Sequence, residues 1–360
     1  MSDHKSVAIC DIQFDSGLSG KADAEVSSKT LWSVEEALAS RVNSWENWLC
    51  AAGTENLHIS ADGNLFSATC RVGGYLGNVF EGQMSLPEKW ITCTKKWCMC
   101  GADMQIRKTK DPRLVSLARN LLPKDAEAES LGDATKRVSA ALSANLVVPA
   151  QHEAHAAFPK SITWDLSRRC NYACSYCHPS VSNQFDSHHS QKTLLEAVDR
   201  LERRFCRGEK AKWVFTGGEP TINPAFMDVV DRINSYGHTI HVQSNGSRGP
   251  AYFRELIAKA CVGLSLHLEA DATERFFETC AVVIDEKDKN ETASRMWFGV
   301  RIMVGPGRVA EAIAIKRRLN EIPGFSKWAH INLSPLYKRL KQDELMEYAE
   351  EEFRQLLQHA

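Results

Sequence analysis

Trp164-Asp-Leu-Ser-Arg-Arg-Cys170-Asn-Tyr-Ala-Cys174-Ser-Tyr-Cys177 sets three cysteines at C-x3-C-x2-C spacing, directly after an apolar, strand-like stretch. Three thiolates suffice for three irons of a [4Fe–4S] cube and leave the fourth iron without a protein ligand. Clusters that only carry electrons usually have a fourth cysteine. The missing ligand is the informative part, because an open iron is where a substrate or cofactor binds and receives an electron. Half of a zinc site, or three incidental buried thiols, are the other readings of this spacing alone.

Working outward, Lys212-Trp-Val-Phe-Thr-Gly-Gly-Glu-Pro220 reads as a β-branched and aromatic strand that stops at a glycine pair. Gly217 and Gly218 permit close backbone approach, and Glu219 puts an acceptor carboxylate at the strand's end. Taken alone, Gly-Gly-Glu-Pro is an ordinary strand-to-loop turn.

Together the two motifs resemble the signature of the radical S-adenosylmethionine (radical SAM) superfamily. The resemblance implies that SAM chelates the open iron through its amino and carboxylate groups. One electron then splits it into methionine and a 5′-deoxyadenosyl radical that abstracts hydrogen from a substrate. It also implies that Tyr176 packs near the adenine and that Gly217, Gly218, Glu219 and Pro220 bind the amino group. Ser244 or Asn245 would contact ribose or carboxylate, with Ser265, His267 and Arg301 near SAM or substrate. Arg301 is the best of these looser matches, since a guanidinium inside a barrel needs an anionic partner.

From Ser161 onward strand-like and helix-like segments alternate six times. The strands read as Ile162 to Leu166, Trp213 to Thr216, Thr239 to Ser244, Val262 to Leu268, Phe298 to Val304 and His330 to Ser334. Leu194, Val198, Leu201 and Phe205 repeat at helical steps, as do Phe226, Val229, Val230 and Ile233. Such alternation predicts right-handed crossovers and a parallel sheet. The expected fold class is α/β, a partial (β/α)6 TIM-like barrel preceded by a small α+β cysteine-rich module. In parallel barrels the reactive site lies at the strands' C-terminal ends, where every motif above falls.

The region before the barrel has its own cysteines: Cys70, Cys93, Cys98 and Cys100. With the Leu76-Gly-Asn78 turn, they resemble the SPASM and twitch modules of radical SAM enzymes, which hold auxiliary [4Fe–4S] clusters. Placement before the barrel and the tight Cys98-x-Cys100 pair depart from the usual pattern. A four-cysteine zinc site is the alternative. Cys10, Cys50, Cys206, Cys261 and Cys280 read as buried small hydrophobes.

The expected domains are an N-terminal helical segment (1–52), the auxiliary module (53–110), helix and linker (111–159), the barrel (160–340) and a C-terminal helix (341–360). The first contains a capping box, Ser33-Val-Glu-Glu36, and an apolar stripe of Leu38, Val42, Trp45 and Leu49. Strand-like pieces from His58 to Phe80 suggest hairpins. Asp111-Pro112 opens another short helix. No separate leader-peptide-binding domain is legible.

Over 360 residues, a hydrophobic content of 43% and a charged content of 25% are ordinary for a globular protein. A formal net charge of -1 gives no field favouring nucleic acid or an anionic membrane. No apolar run of the ~18 residues that span a bilayer is present, nor a signal-peptide core at the start, so a cytoplasmic location is expected. Twelve cysteines then argue for metal ligation over disulfides. The chain reads as an enzyme acting on a peptide, small metabolite or sugar, served by a reductant such as flavodoxin or ferredoxin. A non-catalytic iron–sulfur or zinc protein on the same scaffold is the alternative, and no acid–base catalyst stands out.

Overall fold

The computed structural model describes residues 43–98, 103, 106–109, 146–147 and 160–359. They fall into two compact units, each described by itself.

The first unit is built of short strands. β1 (Leu49–Cys50) lies between β6 (Ile91–Thr92) and β7 (Lys108–Thr109), antiparallel to both, and β7 pairs with β8 (Leu146–Val147). β2 (Asn56–Ile59), β3 (Asn64–Phe66), β4 (Tyr75–Asn78) and β5 (Gln83–Met84) form the antiparallel hairpins read from the sequence. Gly63 (φ +78) adopts the backbone that the turn between β2 and β3 needs, whereas Leu76-Gly-Asn78, expected as a turn, is strand, with Gly77 (φ +120) inside β4 where the β3 register shifts. The expected helix through Trp45 and Leu49 is absent from the described part: residues 46–47 turn and Leu49 is in β1. Leu49 instead packs against a small core of Cys50, Ala51, Ala52, Ala68, Val72, Trp90, Cys93 and Ile106. Residues 33–42, the Asp111-Pro112 helix, Cys10 and Cys100 lie outside the described residues.

The second unit is mixed α/β. Its strands are β9 (Lys160–Asp165), β10 (Ala211–Thr216), β11 (Thr239–Ser244), β12 (Cys261–His267), β13 (Phe298–Val304) and β14 (Ala329–Pro335), neighbours in that order. β9 and β10 begin in the first unit and end in the second. β11 to β14 pair in parallel. Helices follow the strands, among them Gln191–Leu201, Phe226–Ser235, Pro250–Ile257, Thr273–Lys289 and Val309–Asn320. Val229, Val230 and Ile233 bury the face of the second helix, as their spacing predicts.

Trp164, Trp213, Phe215 and Phe226 are fully buried between sheet and helices. Removing such side chains from water contributes about 1.5–3 kcal/mol each, so the frame that carries the strand ends is firmly held. After β14, β15 (Tyr337–Lys338) and β16 (Lys341–Leu345) form an antiparallel hairpin, and the helix Glu350–His359 follows. Among the described residues no helix is long and apolar enough to cross a membrane.

Candidate active site

The C-terminal ends of β9, β10, β11 and β12 meet through a network of backbone and side-chain bonds. The glycine pair is the pivot. Gly218 N–H donates to Ser167 O at 2.8 Å and Glu219 N–H to Arg169 O at 2.8 Å, tying the end of β10 to the start of the cysteine loop. A Cβ on Gly218 would lie 2.3 Å from Arg169 O, and one on Gly217 (φ +108) 2.7 Å from Ser167 O. Neither position accepts a side chain.

Glu219 is 1% exposed. Its Oε1 accepts from Thr221 N–H (3.0 Å), Thr221 Oγ1 (2.6 Å) and Ser244 Oγ (2.8 Å). Oε2 accepts from Asn245 N–H at 2.5 Å. Burial raises the carboxyl above its ordinary range, and the bonds from Asn245, Thr221 and Ser244 oppose that rise. With three donors on one oxygen and one on the other, Oε2 keeps acceptor capacity for an ammonium. Pro220 opens a single 3-10 turn whose N-cap is Glu219 itself.

Cys170 and Cys174 are buried and Cys177 half-buried. Cys170 Sγ accepts from Tyr172 N–H at 3.4 Å and lies 3.9 Å from Asn245 Nδ2. That amide also donates to Asn171 Oδ1 at 3.1 Å, as does Ser247 Oγ at 3.2 Å. The Ser244-Asn245-Gly246 turn thus braces both Glu219 and the first cysteine. A hydrogen bond from the Cys177 thiol, with His267 beside it, lowers Cys174 to about 5. The same bond, together with burial, pushes Cys177 up. Burial also raises Cys170. Cysteines bind metal as thiolates, so loading the triad releases protons.

Tyr172, Met303, Leu336 and Met346 pack around Cys174, Tyr176 and Cys177, giving the triad an apolar shell. Ser265 and His267 on β12 are in register with Arg301 and Met303 on β13, so the four share one face. A small cleft opens beside the triad, lined by Tyr172, Asn245, Ser247, His267, Arg275 and Phe276 among others. Soft thiols, a buried carboxylate with acceptor capacity and a cleft with a guanidinium at its edge fit an open-iron cluster and a zwitterionic sulfonium ligand.

Residues 164–307 match the family model described as the radical SAM superfamily. That stretch takes in all the strand ends just described. Over that stretch the chain is similar to radical SAM enzymes. Among curated relatives, mycofactocin maturase MftC of Mycobacterium ulcerans is 30% identical over 118 residues, 32% of this chain and 31% of that protein. A probable GTP 3′,8-cyclase of Thermococcus kodakarensis is 34% identical over 105 residues, 28% of this chain and 33% of that one. The chain thus spans about a third of the length of these relatives. Among solved structures, anSMEcpe with bound AdoMet aligns with a TM-score of 0.40 and 14% identity over 55% of this chain and 58% of that one. Streptococcus suis SuiB bound to S-adenosylmethionine aligns with a TM-score of 0.40 and 11% identity over 88% and 69%. Likeness this slight carries no argument about function.

In the first unit Cys70, Cys93 and Cys98, the described members of the expected set, lie near one another, with Cys50 beside them. Cys50, Cys70 and Cys93 share the small core. Cys98 is buried, and Cys50 and Cys70 are close enough to perturb it. Cys98 N–H donates to Asn43 O at 2.9 Å, and Cys93 N–H to Trp48 O at 2.8 Å. The Asp103 carboxylate accepts from Thr69 N–H (3.1 Å) and Cys70 N–H (2.6 Å). Lys108 is 1% exposed, donates to Asp103 O (2.8 Å) and Ile106 O (2.7 Å), and lies 4.4 Å from the Trp45 ring centroid. Burial pushes the Cys50, Cys70 and Cys98 thiols up.

The sequence reading singled out none of Asp103, Lys108 and Arg275; Cys50, read as a buried small hydrophobe, is buried in this core near other thiols. Arg275 lies in the first turn of a helix and looks like any solvated residue.

Proposed function

We propose that Cys170, Cys174 and Cys177 hold a [4Fe–4S] cluster with one iron left to SAM, at the open end of a partial (β/α)6 barrel. When bound and reduced, the cluster supplies one electron to the sulfonium, giving methionine and a 5′-deoxyadenosyl radical that takes hydrogen from substrate. Glu219 Oε2 receives the SAM amino group, a bond that Thr221, Ser244 and Asn245 hold in aim. Tyr176 and the cleft beside Asn245 and Ser247 take the adenosine, with Gly217, Gly218 and Pro220 shaping the wall. Arg275 at the cleft edge and Arg301 beside Ser265 are the two cations for SAM's carboxylate or an anionic group of the substrate. The apolar shell of Tyr172, Met303, Leu336 and Met346 keeps water from the reacting carbon.

The single observation that carries this reading is the meeting of the thiol triad with a buried carboxylate, Glu219, across the glycine pair. Glu219→Gln keeps the shape and removes the charge. SAM affinity is expected to fall about 10- to 100-fold, the worth of one hydrogen bond to a charged group, with iron content unchanged. Equilibrium dialysis with labelled SAM checks it, and an unchanged affinity would contradict the assignment.

In the first unit, Cys50, Cys70, Cys93 and Cys98 fit a second metal centre, with Cys100 as a further candidate ligand. Four soft thiols suit either an auxiliary [4Fe–4S] cluster or zinc. Metal analysis of anaerobically reconstituted protein separates them: about eight irons per chain for two cubes, or about four irons and one zinc. Cys50→Ser is expected to remove the second centre's metal and leave SAM cleavage at the triad intact. Full retention of metal in that variant would return Cys50 to the apolar core.

The reductant is of the flavodoxin or ferredoxin kind. A peptide or a small metabolite or sugar is the substrate; the two curated relatives bear names of different substrate classes, a maturase and a nucleotide cyclase.

A further inference from the structure

His267 ends β12, so its ring is carried by a sheet strand and not by the cysteine loop. Its Nδ1 lies 2.6 Å from the Tyr176 hydroxyl and 3.4 Å from Cys174 Sγ. The Tyr176 and His267 rings stack, with centroids 5.9 Å apart and planes within 6°. Tyr172 meets the imidazole edge-on at 6.0 Å. This ring is thus fixed on both sides, and one nitrogen addresses the middle cysteine of the triad.

A cluster-bound thiolate only accepts hydrogen bonds. Opposite such a sulfur, the imidazole tautomer with its proton on Nδ1 is the stable one; the Tyr176 hydroxyl oxygen shares that proton as a second acceptor and turns its own proton to the sulfur. Donors to cluster sulfurs spread the negative charge of the reduced state and favour reduction. Outer-shell partners of this kind commonly change metal-site properties 10- to 100-fold when removed.

We propose that His267 is a positioning residue for the cluster: it donates from Nδ1 to the Cys174 sulfur, stacks Tyr176 in place, and so eases reduction of the cluster. The proposal rests on Cys170, Cys174 and Cys177 being the cluster ligands. Its role differs from contact with SAM, because it acts in the absence of SAM.

Two substitutions separate donation from packing. His267→Phe keeps a flat ring against Tyr176 and loses the donor; His267→Asn keeps a donor near the Nδ1 position. Both are reconstituted anaerobically without SAM, and the reduced fraction is followed by electron paramagnetic resonance during a redox titration. The equilibrium constant for reduction is expected to fall about tenfold in His267→Phe, which is 59 mV for one electron. His267→Asn is expected to recover most of that loss, at equal iron content. Identical midpoint potentials in the wild type and His267→Phe would overturn the proposal, as would equal shifts in the two variants. A wild-type protein that takes up no cluster at the triad would instead overturn the ligand assignment, so the two failures are distinguishable.

Discussion

Cys174→Ala is expected to abolish reductive cleavage of SAM. The substitution removes the middle proposed ligand of the triad, the thiol that its neighbours Cys177 and His267 lower. Two remaining thiols from one loop do not retain a cube under reducing conditions, so iron falls by about four per chain. With dithionite and SAM, 5′-deoxyadenosine is expected to drop by at least about a thousandfold, equivalent to roughly 4 kcal/mol of lost transition-state stabilisation. The apolar shell around Cys174 accepts alanine, so the folded chain and any metal in the first unit persist. Chromatographic assay of 5′-deoxyadenosine beside iron analysis reads both. Undiminished cleavage with full iron would remove Cys174 from the ligand set.

Gly218→Ala carries the second large effect, and for a steric reason. The added methyl carbon would meet two backbone oxygens, Arg169 O at 2.3 Å and Arg168 O at 2.5 Å. Neither is the end of a flexible side chain, so the end of β10 must move away from the cysteine loop. The bond from Glu219 N–H to Arg169 O then breaks, and Glu219 loses its aim at the same time. Overpacking of this kind costs about 1–3 kcal/mol of stability. The chemical penalty is larger: a displacement near 1 Å costs on the order of a hundredfold in rate. SAM cleavage is expected to fall at least that far while circular dichroism still reports folded protein. A variant with near wild-type cleavage would show that the glycine pair is a convenience of the turn and not a constraint of the site.

Much of this was legible in the sequence, and the legible parts share a cause. β11 and β13 begin and end at Thr239–Ser244 and Phe298–Val304, as read, because each is a run of β-branched or apolar residues between turn signals. β12 came out one residue early, at Cys261–His267. The triad and Glu219 were legible because their chemistry sits in contiguous motifs. Asp103 and Lys108 were not, because only folding brings them near the cysteines, nor was Arg275, which only folding brings to the cleft.

The N-terminal misreading is instructive in the same way. Trp45 and Leu49 stand four apart, and a period of 3.6 claimed them for a helix. In the structure Leu49–Cys50 is held as a strand by pairing on both edges, with Cys50 opposite Ile91 and Lys108. Tertiary pairing overrides local spacing there, and it sets Cys50, buried as read, near three other thiols. Lys341–Leu345 makes the same point: Lys-Gln-Asp-Glu-Leu has no strand pattern, yet pairs with Tyr337–Lys338.

The most direct test of the account is whether SAM itself occupies the iron that the triad leaves unligated. Electron paramagnetic resonance of the anaerobically reduced Cys50→Ser variant isolates the triad's cluster from any second one. Addition of SAM is predicted to change the g-values of that signal, and SAM labelled at its amino nitrogen or carboxylate to give hyperfine coupling to the cluster. A reduced [4Fe–4S] signal that SAM leaves unaltered, with no coupling to the label, would contradict the account.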